Sequence, residues 1–531
     1  MHASNPFLII LFCSLLAGIL SGVPVMLVLL GVPLLVAIAG SLAGSFDLSF
    51  LQAFPQRVFG LTGNTLLIAV PLFIAMGVLL ERSHTAERML LVMARLLGGS
   101  ARSLAFAVLI VSALIAASTG IIGATIVMLG LISLPAMTRA GLPTRLSSGL
   151  VCASGTLGQI IPPSVVLILL GDQISNTYLE AQHAAGNFAP EPVSVADLFA
   201  GALIPGMLLV GLYGLYLAVY LKWRGTVVAQ TPPVEVQAET ATPGIAGVGL
   251  PDQLTPVVLL QVFLPPLLLI LSVLGSILAG VATPTEAASI GAAGALLLAA
   301  SNVSGKRHVG WLNLCVVIAL SLLLTLNAVL PGGIRHHPAG LMVAGFIVLL
   351  TVAGLLVSSV ALWQRQVLQA VLRETVLVSA MVFGIILGAS MLSLVFRGFG
   401  GDEMIEHLLG DLPGGQWGTL LVVMLVVFLL GFVLEFVEII FIVVPIVGPI
   451  LLASDFDPVW IAILLALNLQ TSFLTPPFGF ALFYFRSVAP PSLTTLGIYR
   501  AVIPFVVLQL LALCLVAVFP QLATWLPEQL S

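Results

Sequence analysis

Charge is what this sequence has least of. Asp, Glu, Lys and Arg make up only 7% of its 531 residues, where a soluble globular protein carries roughly 25%. Hydrophobic residues make up 60%. No soluble fold can hide that much apolar surface, so the chain is expected in a lipid bilayer and not as the several soluble domains its length would otherwise suggest. The few charges nearly balance, 17 basic against 21 acidic for a net charge of −4. That excludes nucleic acid as a partner, which needs a basic face. Cysteine is scarce too. Cys13, Cys152, Cys315 and Cys514 each lie inside an apolar run, too far apart in sequence to suggest a metal or redox pair, and read as small core residues. The start MHASNPFLIILFCSLLAG has no basic n-region, so it reads as a first membrane span and not a cleaved signal. There is no HExxH, no GxSxG followed by a suitable His and acid, and no pair of membrane aspartates. An intramembrane enzyme would need one of these, so no catalytic residue and no cofactor is expected. A phosphate-binding loop is also missing, which excludes ATP as a direct driver through this chain.

What is present is a series of apolar runs. A membrane span needs ~20 apolar residues, and runs of about that length fall at 7–21, 25–43, 64–81, 146–171, 198–221, 257–280, 286–303, 311–330, 340–363, 375–396, 459–485 and 498–520. Two longer blocks, 103–138 and 416–453, read as hairpins of two short limbs. Segment 84–97 alternates charged and apolar residues at helical spacing, as a helix lying in the interface does. Residues 225–256 are a polar linker without Lys or Arg, and they divide the chain into a first half, 1–224, and the remainder. That remainder comprises spans over 257–300, an extra segment over 301–365 with room for two spans, and a second half over 366–531.

Basic residues set the topology. Arg95, Arg102, Arg139 and Arg145 flank the first hairpin, while no Lys or Arg occurs between Arg397 and Arg486 around the second. The first hairpin is therefore expected to enter from and return to the cytoplasm, and the second to do the same from outside. Two full crossings would also return to one side, so charge alone leaves re-entrance open.

The halves repeat one order of parts. A hairpin with its tip near Ser118-Thr119-Gly120 precedes a span interrupted at Gly155-Thr156-Leu157-Gly158-Gln159-Ile160-Ile161-Pro162-Pro163-Ser164. A hairpin with its tip near Glu435 to Glu438 precedes a span interrupted at Asn468-Leu469-Gln470-Thr471-Ser472-Phe473-Leu474-Thr475-Pro476-Pro477. A Pro-Pro pair removes two backbone donors and cannot continue a helix, and backbone freed at membrane depth must find protein, water or an ion. Paired interruptions in inverted halves are the pattern of a secondary transporter. Freed carbonyls beside Ser, Thr, Asn and Gln can replace the hydration shell of sodium, and helix N-termini favour an anion. The expected fold is an all-α polytopic inverted-repeat ion-transporter fold, with two re-entrant hairpins and two broken helices. Segments 118–125 with 155–164, and 435–445 with 468–479, are expected to meet near the bilayer midplane around one solute cavity.

Three stretches resemble the large membrane subunit of the TRAP (tripartite ATP-independent periplasmic) transporters: Ser154 to Ser164, Gly280-Val281-Ala282-Thr283-Pro284-Thr285-Glu286-Ala287-Ala288, and Asp457-Pro458-Val459-Trp460 followed by Asn468-Leu469-Gln470 and Leu474-Thr475-Pro476-Pro477-Phe478-Gly479. The resemblance covers roughly 1–300 and 366–525. Leu170-Gly171-Asp172-Gln173 and Asn468 to Ser472 are similar to the branch labelled mannitol/chloroaromatic. The resemblance implies a sodium-coupled elevator-type importer of small organic anions in the bacterial inner membrane, with carboxylates such as 2-oxo acids or lactate as candidate solutes. It also implies a small four-helix membrane subunit and a periplasmic solute-binding protein as partners. The chain starts directly in the transport domain, so the small subunit is expected on a separate polypeptide. The alternative is an ion-coupled organic-anion transporter that needs no binding protein.

The candidate sodium and substrate residues are Ser118, Thr119, Gly120, Thr156, Gly158, Pro162, Pro163, Ser164, Glu435, Glu438, Asn468, Thr471, Ser472, Thr475, Pro476 and Pro477. The family pattern would place an aspartate at Glu435 and a Gly-Ser-Gly type tip at Ser118, and these departures leave the individual ion ligands open. Glu435 and Glu438, three residues apart, could be solvated, could hold the hairpin through backbone donors, or could bind a cation. Thr283-Pro284-Thr285-Glu286 reads as a helix start capped by Glu286. Asp172 is expected at the outer surface, Arg486 as a cytoplasmic anchor and His336-His337 in an exposed loop.

Overall fold

The computed structural model describes residues 6–97, 100–119, 122–223, 256–304, 307–329, 338–410 and 412–530. The polar linker at 225–255, the tip residue Gly120 and the His336-His337 pair lie outside them. The described residues fold as helices and turns, without strands. Among the described residues, nine helices are long and apolar enough to cross a membrane, so the protein is a multi-pass membrane protein.

Two helical hairpins and two broken helices occupy the middle of the molecule. The first hairpin has arms Ala101–Thr119 and Ile122–Arg139, and the second Gly415–Leu430 and Phe436–Leu452. The first broken helix consists of limbs Thr144–Thr156 and Val165–Ala184, and the second of Pro458–Leu474 and Phe480–Val488. Each break falls at its Pro-Pro pair, for the expected reason: proline lacks the donor a helix needs and pushes the residue before it out of the helical region. Thr475, preceding Pro476, is extended at φ −88° and ψ 128°. On the first side, Ser164 is extended at φ −120° and ψ 135° before the helix resumes at Val165.

The helix starts carry the caps their sequences announce. Asp457 accepts from the Trp460 amide at 2.9 Å with Pro458 in the first turn. Thr283 and Glu286 form a reciprocal capping box at the start of Pro284–Val303, the Thr283 amide donating to Glu286 Oε2 at 2.8 Å.

The packing crosses between halves. The second arm of the first hairpin, Ile122–Arg139, lies on Phe480–Val488 of the second broken helix; the second arm of the second hairpin, Phe436–Leu452, lies on Val165–Ala184 of the first. The long helices Val195–Trp223 and Thr495–Val518 complete this central group through contacts with the limbs Pro458–Leu474 and Thr144–Thr156. Every residue from Val459 to Leu474 is buried. A flanking group is built from Val25–Leu42 on Val367–Gly398 and Ala69–Arg82 on Pro284–Val303.

The segment 301–365 contributes helices Arg307–Val329 and Pro338–Gln364, which pack on Pro284–Val303. Asn313 pins them there: its Nδ2 donates to the Leu297 carbonyl at 2.8 Å and its Oδ1 accepts from Ser358 Oγ at 3.0 Å. Such interhelical polar links take the place of a hydrophobic driving force between spans. Three shorter helices, Phe54–Gly63, Gly401–Gly410 and Gln521–Leu530, have no counterpart among the sequence-expected spans, because none has a run of ~20 apolar residues.

Close helix approach rests on small residues. A Cβ at Gly149 would stand 2.2 Å from the Ala501 carbonyl oxygen of Thr495–Val518, and backbone cannot rotate away. A Cβ at Gly211, by contrast, would meet nothing within 4 Å. Gly149→Ala should therefore cost about 1–3 kcal/mol of stability, read as a lower melting temperature in detergent. Gly211→Ala should leave melting unchanged or raise it, and equal melting temperatures for the two variants would refute the packing argument.

Candidate functional site

The two breaks meet through side chains at the ends of their first limbs. Gln470 Nε2 donates to Thr156 Oγ1 at 3.4 Å, tying one broken helix to the other across 314 residues of sequence. Gln509, from Thr495–Val518, donates through the same amide nitrogen to Thr156 Oγ1 at 3.2 Å and to the Tyr213 hydroxyl at 2.8 Å. Thr156, Gln470, Gln509 and Tyr213 are all buried. Thr156 in turn donates to the Ala153 carbonyl at 2.9 Å, which orients its oxygen as an acceptor. These four residues form one buried polar node.

Around it lie buried polar atoms with no protein partner among the described residues: both amide atoms of Gln159, the Ser154 hydroxyl, and the side-chain carbonyl oxygens of Gln470 and Gln509. An unpaired buried polar group is costly, and in a native protein it calls for a physical account. Neutral amide and hydroxyl oxygens beside a helix break have the donor chemistry of a hard monovalent cation site, and also suit ordered water.

Of the sequence-expected residues, Thr156 is in this node, and others lie on the same two broken helices. Pro162, Pro163 and Ser164 are buried, and Ser164 Oγ donates to the Gln159 carbonyl at 2.9 Å, bracing the break from within. Gly158 sits in the turn Leu157–Gln159, where a Cβ would come 3.2 Å from the Ala116 carbonyl of the first hairpin. Asn468 donates to the Met424 carbonyl at 2.7 Å, and Gly431 leaves room for Ser472, so the first arm of the second hairpin is fastened to the limb Pro458–Leu474. Thr471, Ser472 and Thr475 donate to carbonyls three or four residues back in their own helix, leaving their hydroxyl lone pairs free to accept. Pro476 is half-buried and Pro477 exposed. Ser118 and Thr119 end the arm Ala101–Thr119; their side chains, like Gly120, lie outside what is described.

Glu435 and Glu438 have the geometry of a hairpin held through backbone donors. They form a capping box at the start of Phe436–Leu452, each side chain accepting from the other's end of the first turn, with the Glu435 amide donating to Glu438 Oε2 at 3.1 Å. Tyr484 bridges the two hairpins: its hydroxyl donates to Glu435 Oε1 at 3.5 Å, and its ring lies where a Cβ on Gly123 would meet it at 2.9 Å.

The second hairpin lies on Pro458–Leu474 through its first arm and on Val165–Ala184 through its second arm. Asp172, expected at the outer surface, is half-buried and accepts from Asn64 Nδ2 at 2.9 Å. Arg486, expected as a cytoplasmic anchor, is exposed, and its Nη1 donates to the Leu493 carbonyl at 2.6 Å in the loop before Thr495–Val518. Sequence reading also missed Gln509, Tyr213 and Tyr484. The signal for Gln509 was available: an amide alone in an otherwise apolar span is costly unless it is paired or functional.

The whole chain matches known proteins. Residues 12–522 match the family described as "Tripartite ATP-independent periplasmic transporter, DctM component". A C4-dicarboxylate TRAP transporter large permease protein of Vibrio cholerae is 26% identical over 481 residues, 90% of each chain. The ectoine TRAP transporter large permease protein of Halomonas elongata is 24% identical over 507 residues, 94% of this chain and 96% of that one. Among solved structures, the YdaH transporter of Alcanivorax borkumensis aligns over 90% of this chain and 88% of its own at 13% identity and a TM-score of 0.47. With nearly its whole length matched, this chain belongs to the DctM component family of the tripartite ATP-independent periplasmic transporters, and is a transporter permease and not an enzyme.

Proposed function

We propose that this chain is the large permease subunit of a sodium-coupled, binding-protein-dependent importer of small organic anions in the bacterial inner membrane. Carboxylates are the solute class, with 2-oxo acids or lactate as candidates. The observation that carries the reading is the node where Gln470 of one broken helix meets Thr156 of the other, beside the unpartnered oxygens of Ser154, Gln159, Gln470 and Gln509. Sodium takes neutral oxygen ligands, and the non-helical stretches at Ile160 to Ser164 and Thr475 to Gly479 add carbonyls released from helix bonding. An anion moving inward works against the membrane potential, about 2.3 kcal/mol per charge per 100 mV, so at least two sodium ions per monoanion make import electrically favourable. The reciprocal packing of hairpins on opposite broken helices fits transport by one moving body, an elevator.

The deciding experiment uses the complex in liposomes with its periplasmic binding protein. Uptake should require both inward sodium and that protein. Uptake unchanged when choline replaces sodium at fixed pH removes the coupling ion; uptake unchanged without the soluble protein favours the alternative of a self-sufficient ion-coupled transporter.

Two further outcomes are expected. A small four-helix membrane subunit on a separate polypeptide should copurify with this chain, and full uptake by this chain with the binding protein alone would exclude it. Pro163→Ala and Pro477→Ala should each let a helix re-form through the break and shift the freed carbonyls. Displacements of about 1 Å cost on the order of a hundredfold in rate, so uptake should fall by about that factor while the protein still inserts and purifies. Normal uptake by both variants would remove the breaks from the mechanism.

A further inference from the structure

Away from the node, a chamber of about 480 Å³ opens between Phe54–Gly63, Val165–Ala184, Val367–Gly398 and Phe436–Leu452. It lies at the seam between the central group of helices, which supplies two of these walls, and the flanking group, which supplies the other two. Ser390 and Arg397, at its rim, are in the last three turns of Val367–Gly398. The opposite end of that helix carries the Arg82–Glu374 ion pair at 3.0 Å. With Arg88, Arg95 and Arg102 following Arg82 in sequence, the chamber belongs to the outer half of the membrane by the positive-inside rule. Its inner wall reaches Phe441, six residues into the second hairpin's second arm and so about 9 Å along the axis from Glu435 at the tip.

The charges of this chamber are unequally partnered. Arg397 is held by Glu180 at 2.8 Å and by Asp402 at 3.4 Å. Asp172 accepts from Asn64. Arg57 is left with a single long hydrogen bond, Nη1 to the Ser390 carbonyl at 3.5 Å, and with no carboxylate in ion-pair reach among the described residues. A half-buried guanidinium with its fork unpaired, beside a second guanidinium, is a receptor for a planar anion. Of the two carboxylates in the lining, Glu180 is taken by Arg397 and Asp172 accepts from Asn64, while Leu61, Ile386 and Phe441 supply an apolar wall for an organic anion. The volume is that of a small-molecule pocket.

We infer that this chamber is an outer receiving site for a small carboxylate, held by Arg57 before it reaches the hairpin tips. The inference rests on the import direction and solute class proposed above. It adds an anion station distinct from the cation-suited node of the broken helices. The Arg397–Glu180 pair joins the flanking to the central group across this same chamber, so the carboxylate binds where the two groups face each other.

The test separates this site from the wider proposal because its first reading needs no transport. In right-side-out vesicles bearing the complex, held in choline medium without sodium, phenylglyoxal should label Arg57, as read by mass spectrometry. Millimolar pyruvate or succinate should slow the labelling, and inorganic phosphate at the same concentration should slow it less. The second reading is uptake kinetics. Arg57→Ala should raise KM by about tenfold or more, the loss of a charge-assisted hydrogen bond, with the maximal rate little changed. Arg57→Lys should restore part of it. An unreactive Arg57, labelling indifferent to both carboxylates, protection equal with phosphate, or an unchanged KM in both variants would each overturn the assignment. Protection that persists in a protein whose uptake ignores sodium or the binding protein would leave this site standing and sink the wider proposal instead.

Discussion

Backbone that leaves its helix inside a membrane has nowhere to go but inward, and the rest of this structure follows from that constraint. The Pro-Pro pairs at Pro162-Pro163 and Pro476-Pro477 release carbonyls that lipid cannot satisfy. The limbs before the breaks are accordingly the most enclosed helices of the chain: residues from Leu146 to Thr156, and from Val459 to Leu474, are buried without exception. Everything large in the central group is arranged to surround them. The glycines at Gly149 and Gly155 allow that enclosure, the first letting the Ala501 carbonyl approach and the second making room for Ile126 of the first hairpin.

The same constraint explains why each hairpin braces the break of the opposite half. A hairpin arm that packed only on its own half would leave the seam between the repeats to lipid or water. Crossing over closes the seam: Gly130 of the first hairpin accommodates Val488 of the second broken helix, and Gly448 of the second hairpin accommodates Thr177 of the first. The node of Thr156, Gln470, Gln509 and Tyr213 lies inside that closure. One amide nitrogen of Gln509 serves two acceptors, which leaves its oxygen and that of Gln470 without protein donors. Buried polar groups are normally satisfied, so these oxygens call for a partner beyond the protein, an ordered water or a cation.

Much of this was legible in the sequence, and the reason is the strength of its signals. Hydropathy and length identify spans because the bilayer thickness is fixed, and a doubled proline can be read as a break with no knowledge of its neighbours. Asp457-Pro458 and Thr283-Pro284-Thr285-Glu286 likewise announce helix starts that the structure contains. What could not be read was anything decided by three-dimensional neighbours. Asp172 looks like a terminal polar residue until Asn64, 108 positions earlier, is seen to hold it. Phe54–Gly63 is too short for a hydropathy window, so Arg57 never entered the sequence argument. The family resemblance carried the paired motifs at the breaks but was silent on Gln509 and Tyr484, which lie outside every motif it contained.

The two hairpin tips show how one architecture can be symmetric in backbone and unequal in chemistry. The second tip spends its two carboxylates on its own turn, in the capping box of Glu435 and Glu438, with a further contact from Tyr484. A carboxylate already accepting backbone donors has fewer lone pairs for a cation, and moving it would unfasten the hairpin. The first tip has only hydroxyls, at Ser118 and Thr119, and no capping acid to hold it. Tyr484, lying against Gly123 of one hairpin and bonded to Glu435 of the other, therefore couples a tip fixed by its own acids to one that has none. Because the arms beyond those tips each grip the opposite broken helix, neither hairpin can swing without dragging the other half. The contacts survive only if hairpins, breaks and node travel together, which is the physical case for the proposed movement of the central group as one body against the flanking helices.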